Sequence, residues 1–267
     1  MKTYVITGGT DGIGAAVARV LAARGDRVVV IGTDAAKGER LVRESAGLVS
    51  FLEADLALVA DTRRVAGLIL AEHPVVDGIV LCARYFRQNR AVTAEGVEDN
   101  FALFYLSRVV LVDALRAALP DGASIVNVAG PGGDAPLDWD DLQSAVDYDG
   151  LRTIIQGGRL NDVHGLTFAR RNPTLRYVLF HPGPTATSMA GDFDAATAAL
   201  VARQRATAKP ASAVVPPVLE LLDHPPARPL SAYGMDGAIT LADSVEAAER
   251  LAALTEEVLT GLAPSRG

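Results

Sequence analysis

The 267-residue chain reads as an α/β domain, a doubly wound parallel sheet of about seven strands with helices on both faces. Three observations predict this class. Short β-rich runs alternate with longer amphipathic runs, which implies βαβ crossovers. The β-rich runs are continuous Val/Ile/Leu segments, not strict alternations, as suits strands buried on both faces. A glycine-rich turn joins the first strand to the first helix.

In order, "YVITG" precedes an Ala-rich helix from Ile13 to Arg24, and "RVVVIG" precedes a helix over 35–45. "LVSFLEA" leads to a helix over 58–72, "VVDGIVLC" to a long helix over 95–118, and then comes "ASIVNVAG". Pro131, Gly132, Gly133 and Pro136 break the chain into a loop. A helix over 151–171 and the strand "LRYVLF" follow, then an irregular stretch, "HPPARPL", at 224–230. A last helix, about 243–262, carries Leu251, Leu254, Val258 and Leu262 on one face, to pack on the core or on a neighbour. No repeat, low-complexity tract or linker divides the chain, so residues 1–267 read as one domain.

Apolar residues make up 49% and charged residues 21%, the balance of a globular protein. A net charge of −7 argues against nucleic acid and anionic membrane as partners, since both need clustered Lys and Arg. The pairs Arg63–Arg64 and Arg170–Arg171 read as solvated helix faces. No signal-like run and no apolar segment of roughly 20 residues is present. Cys82 stands alone, and His73, His164, His181 and His224 lack ligand spacing, so no metal is expected. The expectation is a soluble cytoplasmic protein.

"VITGGTDGIGAAVARVLAARG" places Gly12 and Gly14 where backbone can approach a pyrophosphate, which a helix N-terminus favours through its free N–H groups and dipole. The spacing Gly8-x-x-x-Gly12-x-Gly14, with Thr7 ahead, resembles the short-chain dehydrogenase/reductase family, and the resemblance runs over nearly the whole chain. "EADL" (53–56) looks like the family's adenine-side motif, and "HPGPTAT" (181–187) like its nicotinamide-side P-G-x-x-x-T. "DWDDLQSAVDYDGL" is similar to the insertion of the retinol-dehydrogenase-like branch. The resemblance implies a Rossmann-type sheet and a bound dinucleotide. Its holders would be Thr7, Gly8, Thr10, Asp11, Gly12, Ile13 and Gly14 in the first turn, Thr33 after the second strand, and Asp55 and Leu56 beside the adenine. Ala83, Arg159, Pro182, Gly183, Thr185 and Thr187 would complete the nicotinamide side. For Asp55 the alternative is an ordinary turn carboxylate. For His181 the preferred reading is a buried, hydrogen-bonded residue at a strand end.

An NAD enzyme of this kind carries a carboxylate near the end of the second strand, where this chain has Gly32-Thr33. Thr33 and Lys37 are placed to contact a 2′-phosphate, whereas Asp11 sits where NADP enzymes often carry a basic residue. The balance favours NADP(H) over NAD(H), with a non-redox role or no cofactor left open.

The family's chemistry uses an Asn, a Ser, a Tyr and a Lys. "IVNVAG" (125–130) resembles I-V-N-V-S-S and puts the Ser at Gly130. "GGRLND" (157–162) resembles S-K-L-A-N and puts the Lys at Arg159 and the Tyr at Ile155. Counting from "TAEGVE" (93–98) puts the Asn at Phe104. The N-N-A-G after the fourth strand is Leu81-Cys82-Ala83-Arg84. All four catalytic positions differ: Ile155 has no proton to give, Arg159 has no tyrosine to tune, Gly130 lacks a hydroxyl, and Phe104 is apolar. General acid–base catalysis typically supplies about 10²–10⁴-fold, so the family mechanism loses its principal contribution.

Tyr148 and Tyr85 are candidates for a relocated proton donor. Arg84, Tyr85 and Arg87 form either a polar cluster over a substrate anion or a solvated loop. Asp134, Asp138, Asp140 and Asp141 read as a solvated acidic loop with capping carboxylates. Phe104, Gly130, Ile155 and Pro131 are expected to line an apolar pocket. Gly157 and Gly158 allow a close approach, or else mark the start of the helix. Residues 188–206 lie where the family places a substrate lid and read as a short amphipathic helix. Three functions follow. The favoured one is a repurposed non-redox enzyme (cyclisation, isomerisation or elimination) acting on a bulky apolar small molecule, as in specialised-metabolite biosynthesis. The others are an NADP(H) carbonyl oxidoreductase with a relocated, water-borne or substrate-borne proton, and a non-catalytic dinucleotide-binding regulator or scaffold. Relatives assemble through helices corresponding to 95–118 and 151–171, which leaves a homodimer or homotetramer open.

Overall fold

The computed structural model describes residues 1–188 and 190–262. Strands β1 (Thr3–Thr7), β2 (Arg27–Gly32), β3 (Val49–Glu53), β4 (Gly78–Leu81), β5 (Ser124–Val128), β6 (Arg176–His181) and β7 (Leu230–Gly234) form a parallel sheet. Their order is β7-β6-β5-β4-β1-β2-β3. An eighth strand, β8 (Gly237–Ala238), lies antiparallel on the β7 edge. Met235 and Asp236 form the two-residue turn between them, a hairpin too short for hydrophobic pattern to reveal.

The continuous apolar runs have a direct cause. Val5, Ile79, Ile125 and Leu179 point into one core with helices α3 (Val59–Glu72), α4 (Ser107–Leu115) and α5 (Gly150–Arg171). The alternate residues Ile6, Val80, Val126 and Val178 point into the other core. There they meet α1 (Gly12–Ala23), α2 (Ala35–Glu44) and, beyond helix α6 (Ala195–Thr207), α7 (Val215–Asp223). Both faces are covered, so neither alternates with polar residues. Asp11, Asp34, Asp149 and Asp194 cap α1, α2, α5 and α6 by accepting a backbone N–H in the first turn.

The helix predicted over 95–118 begins later and changes type. Gly96 turns at φ 81°, and Val92 bridges to Glu98. The Glu98 carboxylate then accepts from the backbone N–H groups of Asn100 (3.0 Å) and Phe101 (2.7 Å). A π-helical turn, Phe101–Leu106, precedes α4, an irregularity that often marks a functional region.

The last helix, α8 (Val245–Gly261), packs on the core. Its Leu251 is buried among residues of the π-turn and α5, and Thr255 Oγ1 is hydrogen-bonded to Tyr105 Oη at 2.6 Å. Most of the segment expected as a lid, 188–206, forms α6, in which Val201 is buried; Met189 lies outside the described residues, as do 263–267 of the expected domain. Among the described residues no helix is long and apolar enough to cross a membrane.

Candidate active site

The C-terminal ends of β1, β4, β5 and β6 form the floor of a cleft, the usual ligand position in an open α/β sheet. Three loops are pinned together there. Thr7 Oγ1 accepts from the N–H groups of Cys82 (3.1 Å) and Ala83 (3.2 Å), tying β1 to the end of β4. A Cβ on Gly8 would stand 2.8 Å from Ala83 N, and one on Gly12 would stand 2.9 Å from Thr187 Cγ2. The first turn and the "HPGPTAT" segment therefore touch, although 175 positions part Gly12 from Thr187 in sequence.

Where the resemblance puts the adenine there is an open cavity of about 570 Å³ lined by Thr33, Glu53, Ala54, Asp55, Asp61 and Arg64. Leu56 is buried behind it. The Asp55 carboxylate accepts from Ala57 N–H at 3.0 Å, so it holds its own turn while facing the cavity. Thr10 covers Gly32: a Cβ on that glycine would lie 2.9 Å from Thr10 Oγ1. Asp11 accepts from Gly12 N–H and from Lys37 Nζ, each at 2.6 Å. Burial opposes its charge, yet Lys37, Gly12 N–H and Ser188 hold its pKa below the ordinary carboxylate value. Lys37, expected at a 2′-phosphate, is thus shared between Asp11 and Asp34. Ile13 and Gly14 begin the helix beyond the cap, and Thr185 Oγ1 donates to Gly183 O at 2.9 Å beside Pro182. A cavity at the adenine end and a helix N-terminus facing the cleft fit a dinucleotide.

At the four positions where the resemblance puts the family's tetrad, the side chains are occupied as follows. Arg159 forms an ion pair with Asp162 (2.8 Å) and a two-pronged one with Asp243, and also donates to Ala135 O. Burial disfavours its charge, but Asp243 and Asp162 raise its pKa. Ile155 is 52% exposed on α5. Gly130 has φ +68°, a conformation in which a serine would be strained.

Phe104 corrects the expected pocket. It is 2% exposed and fills space beneath Gly157, where a Cβ would stand 2.6 Å from its Cδ1. Pro131 is also buried, so neither residue lines an open cavity. Gly157 and Gly158 serve close packing inside α5, not its start: a Cβ on Gly158 would meet Ala129 O at 3.2 Å. Beneath them runs a buried polar chain. Arg108 donates to Asn127, and Asn127 donates to Asn161 and Tyr177, both at 2.8 Å. Asn161 in turn donates to Phe104 O at 2.8 Å, fixing the π-turn.

Both candidate tyrosines are engaged. The Tyr148 hydroxyl accepts from Asn100 Nδ2 (3.0 Å) and donates to Arg87 O (3.1 Å). Burial, aided by the Glu98 charge, pushes its pKa up to about 12. Tyr85 donates to Asp192 at 2.8 Å. Arg87 bonds Asp192 (2.7 Å) and Asp99 (2.9 Å), and its guanidinium lies over the Tyr85 ring. With Phe86 stacked on Phe193 at 5.0 Å, these residues clamp the segment before α6 to the loop after β4. Of the Arg84, Tyr85 and Arg87 cluster, Arg84 has no carboxylate on it among the described residues.

One residue departs from the sequence reading, which had it buried, and another lay outside that reading. His181 is exposed, not buried. Its Nδ1 accepts from Gly183 N–H at 2.9 Å, so in the neutral ring Nε2 carries the hydrogen. That Nε2 lies 3.9 Å from where a Cβ on Gly130 would stand. The signal was present in "NVAG" and "LFHPG": they end adjacent parallel strands, so a lost hydroxyl on one has the imidazole of the other beside it. Lys209 Nζ lies 3.1 Å from a Cβ built on Gly183, because Lys209–Pro210 pairs with Thr185–Ala186. No sequence pattern announces that two-residue ladder.

Residues 2–141 match the family model for short chain dehydrogenases, and the chain belongs to this family. It is 30% identical over 191 residues to dehydrogenase/reductase SDR family member 12 of Bos taurus, covering 68% of this chain and 60% of that protein. It is 29% identical over 159 residues to the polyprenol dehydrogenase of Homo sapiens, covering 55% of this chain and 48% of that one. The chain thus spans about half to three-fifths of the length of these two relatives. A short chain dehydrogenase of Burkholderia cenocepacia, solved in complex with NADP, shares the fold with a TM-score of 0.65 at 20% identity, over 89% of this chain and 97% of that one.

Proposed function

We propose that this protein is a dinucleotide-binding enzyme on an oxidoreductase scaffold whose own reaction is not hydride transfer. It would enclose a bulky apolar molecule in the cytoplasm and promote its cyclisation, isomerisation or elimination, as in specialised-metabolite biosynthesis. The observation that carries this reading is the pairing of Arg159 with Asp243 and Asp162 one helical turn beyond Ile155. The residue standing for the lysine is committed to two carboxylates, and the residue standing for the tyrosine has no proton. The dinucleotide, NADP(H) in preference to NAD(H), would lie along the first turn, with its adenine at Thr33 and Asp55 and Lys209 beside Gly183. When bound it would supply a flat, fixed wall to the cleft. His181 Nε2–H would donate to a substrate carbonyl from beside Gly130, polarising it in a site where orientation supplies much of the barrier reduction.

The test follows absorbance of NADPH at about 340 nm together with mass-spectrometric detection of product, across bulky apolar enones and polyenes. The expected result is conversion with no loss of NADPH. Product formed one-for-one with NADPH oxidised would replace this reading with the second, an NADP(H)-dependent carbonyl oxidoreductase. The placement of His181 favours that alternative, since a donor beside Gly130 also suits a carbonyl receiving hydride.

A further inference from the structure

Three cations around the cleft are held by carboxylates. Arg87 is held by Asp99 and Asp192, Arg159 by Asp162 and Asp243, and Lys37 by Asp11 and Asp34. Among the described residues Lys209, Arg84 and Arg108 have no carboxylate on them, and the two arginines share one aromatic ring. The Arg84 guanidinium carbon lies 5.6 Å from the Phe104 ring centroid, and that of Arg108 lies 4.5 Å from it. Arg108 is 1% exposed, and its partners are the neutral oxygens of Asn127, Val128 and Ala83. Its Nε is buried without a partner. Desolvation pushes its pKa down to about 10, and the Arg84 charge adds to that fall. Arg84 follows β4 and is reached by solvent, yet surrounding protein alone lowers its pKa. Two like charges near one ring, neither compensated by a carboxylate, raise each other's energy. In a chain of net charge −7, such a place is not explained by an excess of base.

We propose that Arg84, with Arg108 near the same Phe104 ring, seats the oxyanion head of the substrate, a carboxylate in the ordinary case. This rests on the reading that the cleft holds a bulky apolar molecule, and it names that molecule's polar end. A planar guanidinium suits a carboxylate better than an ammonium does, because it offers two parallel donors. The body of the ligand would lie along Leu151 and Ile155, one turn apart on α5 and both more than half exposed. A phosphate of the dinucleotide carries the same chemistry, so the experiment separates the two sources.

The probes are anilinonaphthalene sulfonate, an apolar body with one oxyanion, and phenylnaphthylamine, the same rings without it. Fluorescence titration of the full chain is compared with Arg84→Met and Arg84→Lys, while calorimetry follows NADPH. The expected result is a loss of about tenfold or more in sulfonate affinity for Arg84→Met, partial recovery in Arg84→Lys, and unchanged binding of the neutral probe and of NADPH. Equal sulfonate affinity in wild type and Arg84→Met overturns the proposal and leaves the apolar-cleft reading standing. Loss of NADPH affinity in place of sulfonate affinity also overturns it, giving the charge to the dinucleotide. Loss of sulfonate affinity with no neutral-probe binding to any variant upholds the oxyanion seat and counts against the apolar cleft.

Discussion

Arg159 and Asp243 meet through both guanidinium Nη atoms and both carboxylate oxygens, joining the middle of α5 to the residue before the cap of α8. The side chains are 12% and 7% exposed, so each charge depends on the other. Asp243→Asn should lower unfolding free energy by about 3 kcal/mol, because it leaves the guanidinium under-compensated. Arg159→Met combined with Asp243→Asn should recover most of that loss. Urea unfolding of the four proteins measures both effects.

Gly157 and Phe104 give a second prediction. Gly157→Ala adds helix propensity, about 1 kcal/mol, but places a methyl 2.6 Å from Phe104 Cδ1. Overpacking of this kind costs about 1–3 kcal/mol, so the net change should be destabilising. Phe104→Leu should make the same substitution neutral or favourable, and a double-mutant cycle on unfolding free energies reads that coupling.

The sheet was legible because burial on both faces leaves a trace in every strand, as in the alternate packing of Val5 and Ile6 into separate cores. The first turn was legible because Gly8, Gly12 and Gly14 are forced by contacts that admit no side chain. What escaped was set by tertiary contact. Phe104 has the apolar character expected of a pocket wall, and only the glycines of α5 decide that it fills the space itself. Arg159 matched a lysine position in register, but the carboxylate that holds it lies 84 residues away. His181 read as a buried strand-end residue because nothing local shows that its neighbour Gly130 leaves its edge open.

Asp162 should give stability a pH dependence. Burial, working against the Gly132 N–H and the Arg159 charge, pushes its pKa up to about 6 from 3.8. The folded protein therefore binds this proton more tightly than the unfolded chain. The contribution is fully present below pH about 4 and lost as pH rises through about 6, amounting to about 3 kcal/mol. Asp162→Asn should remove that slope. Unfolding free energies of wild type and variant, measured from pH 4 to 7, should lie nearest at pH 4, with the wild type falling relative to the variant as pH rises.

Gly130→Ser restores a hydroxyl at the family's serine position but must adopt φ near +68°. It should cost about 1 kcal/mol or more and bring no NADPH-dependent reduction, since Ile155 and Arg159 are unchanged. Thermal unfolding and an absorbance assay check the two halves of this expectation.

The most direct test of a retained dinucleotide site beside altered chemistry is calorimetric titration of nucleotide-stripped protein with NADP⁺, NADPH, NAD⁺ and NADH. Micromolar binding, tighter for the phosphorylated pair, is the predicted result. No heat of binding with any of the four would contradict it, leaving the glycine turn as packing between β1, Ala83 and Thr187.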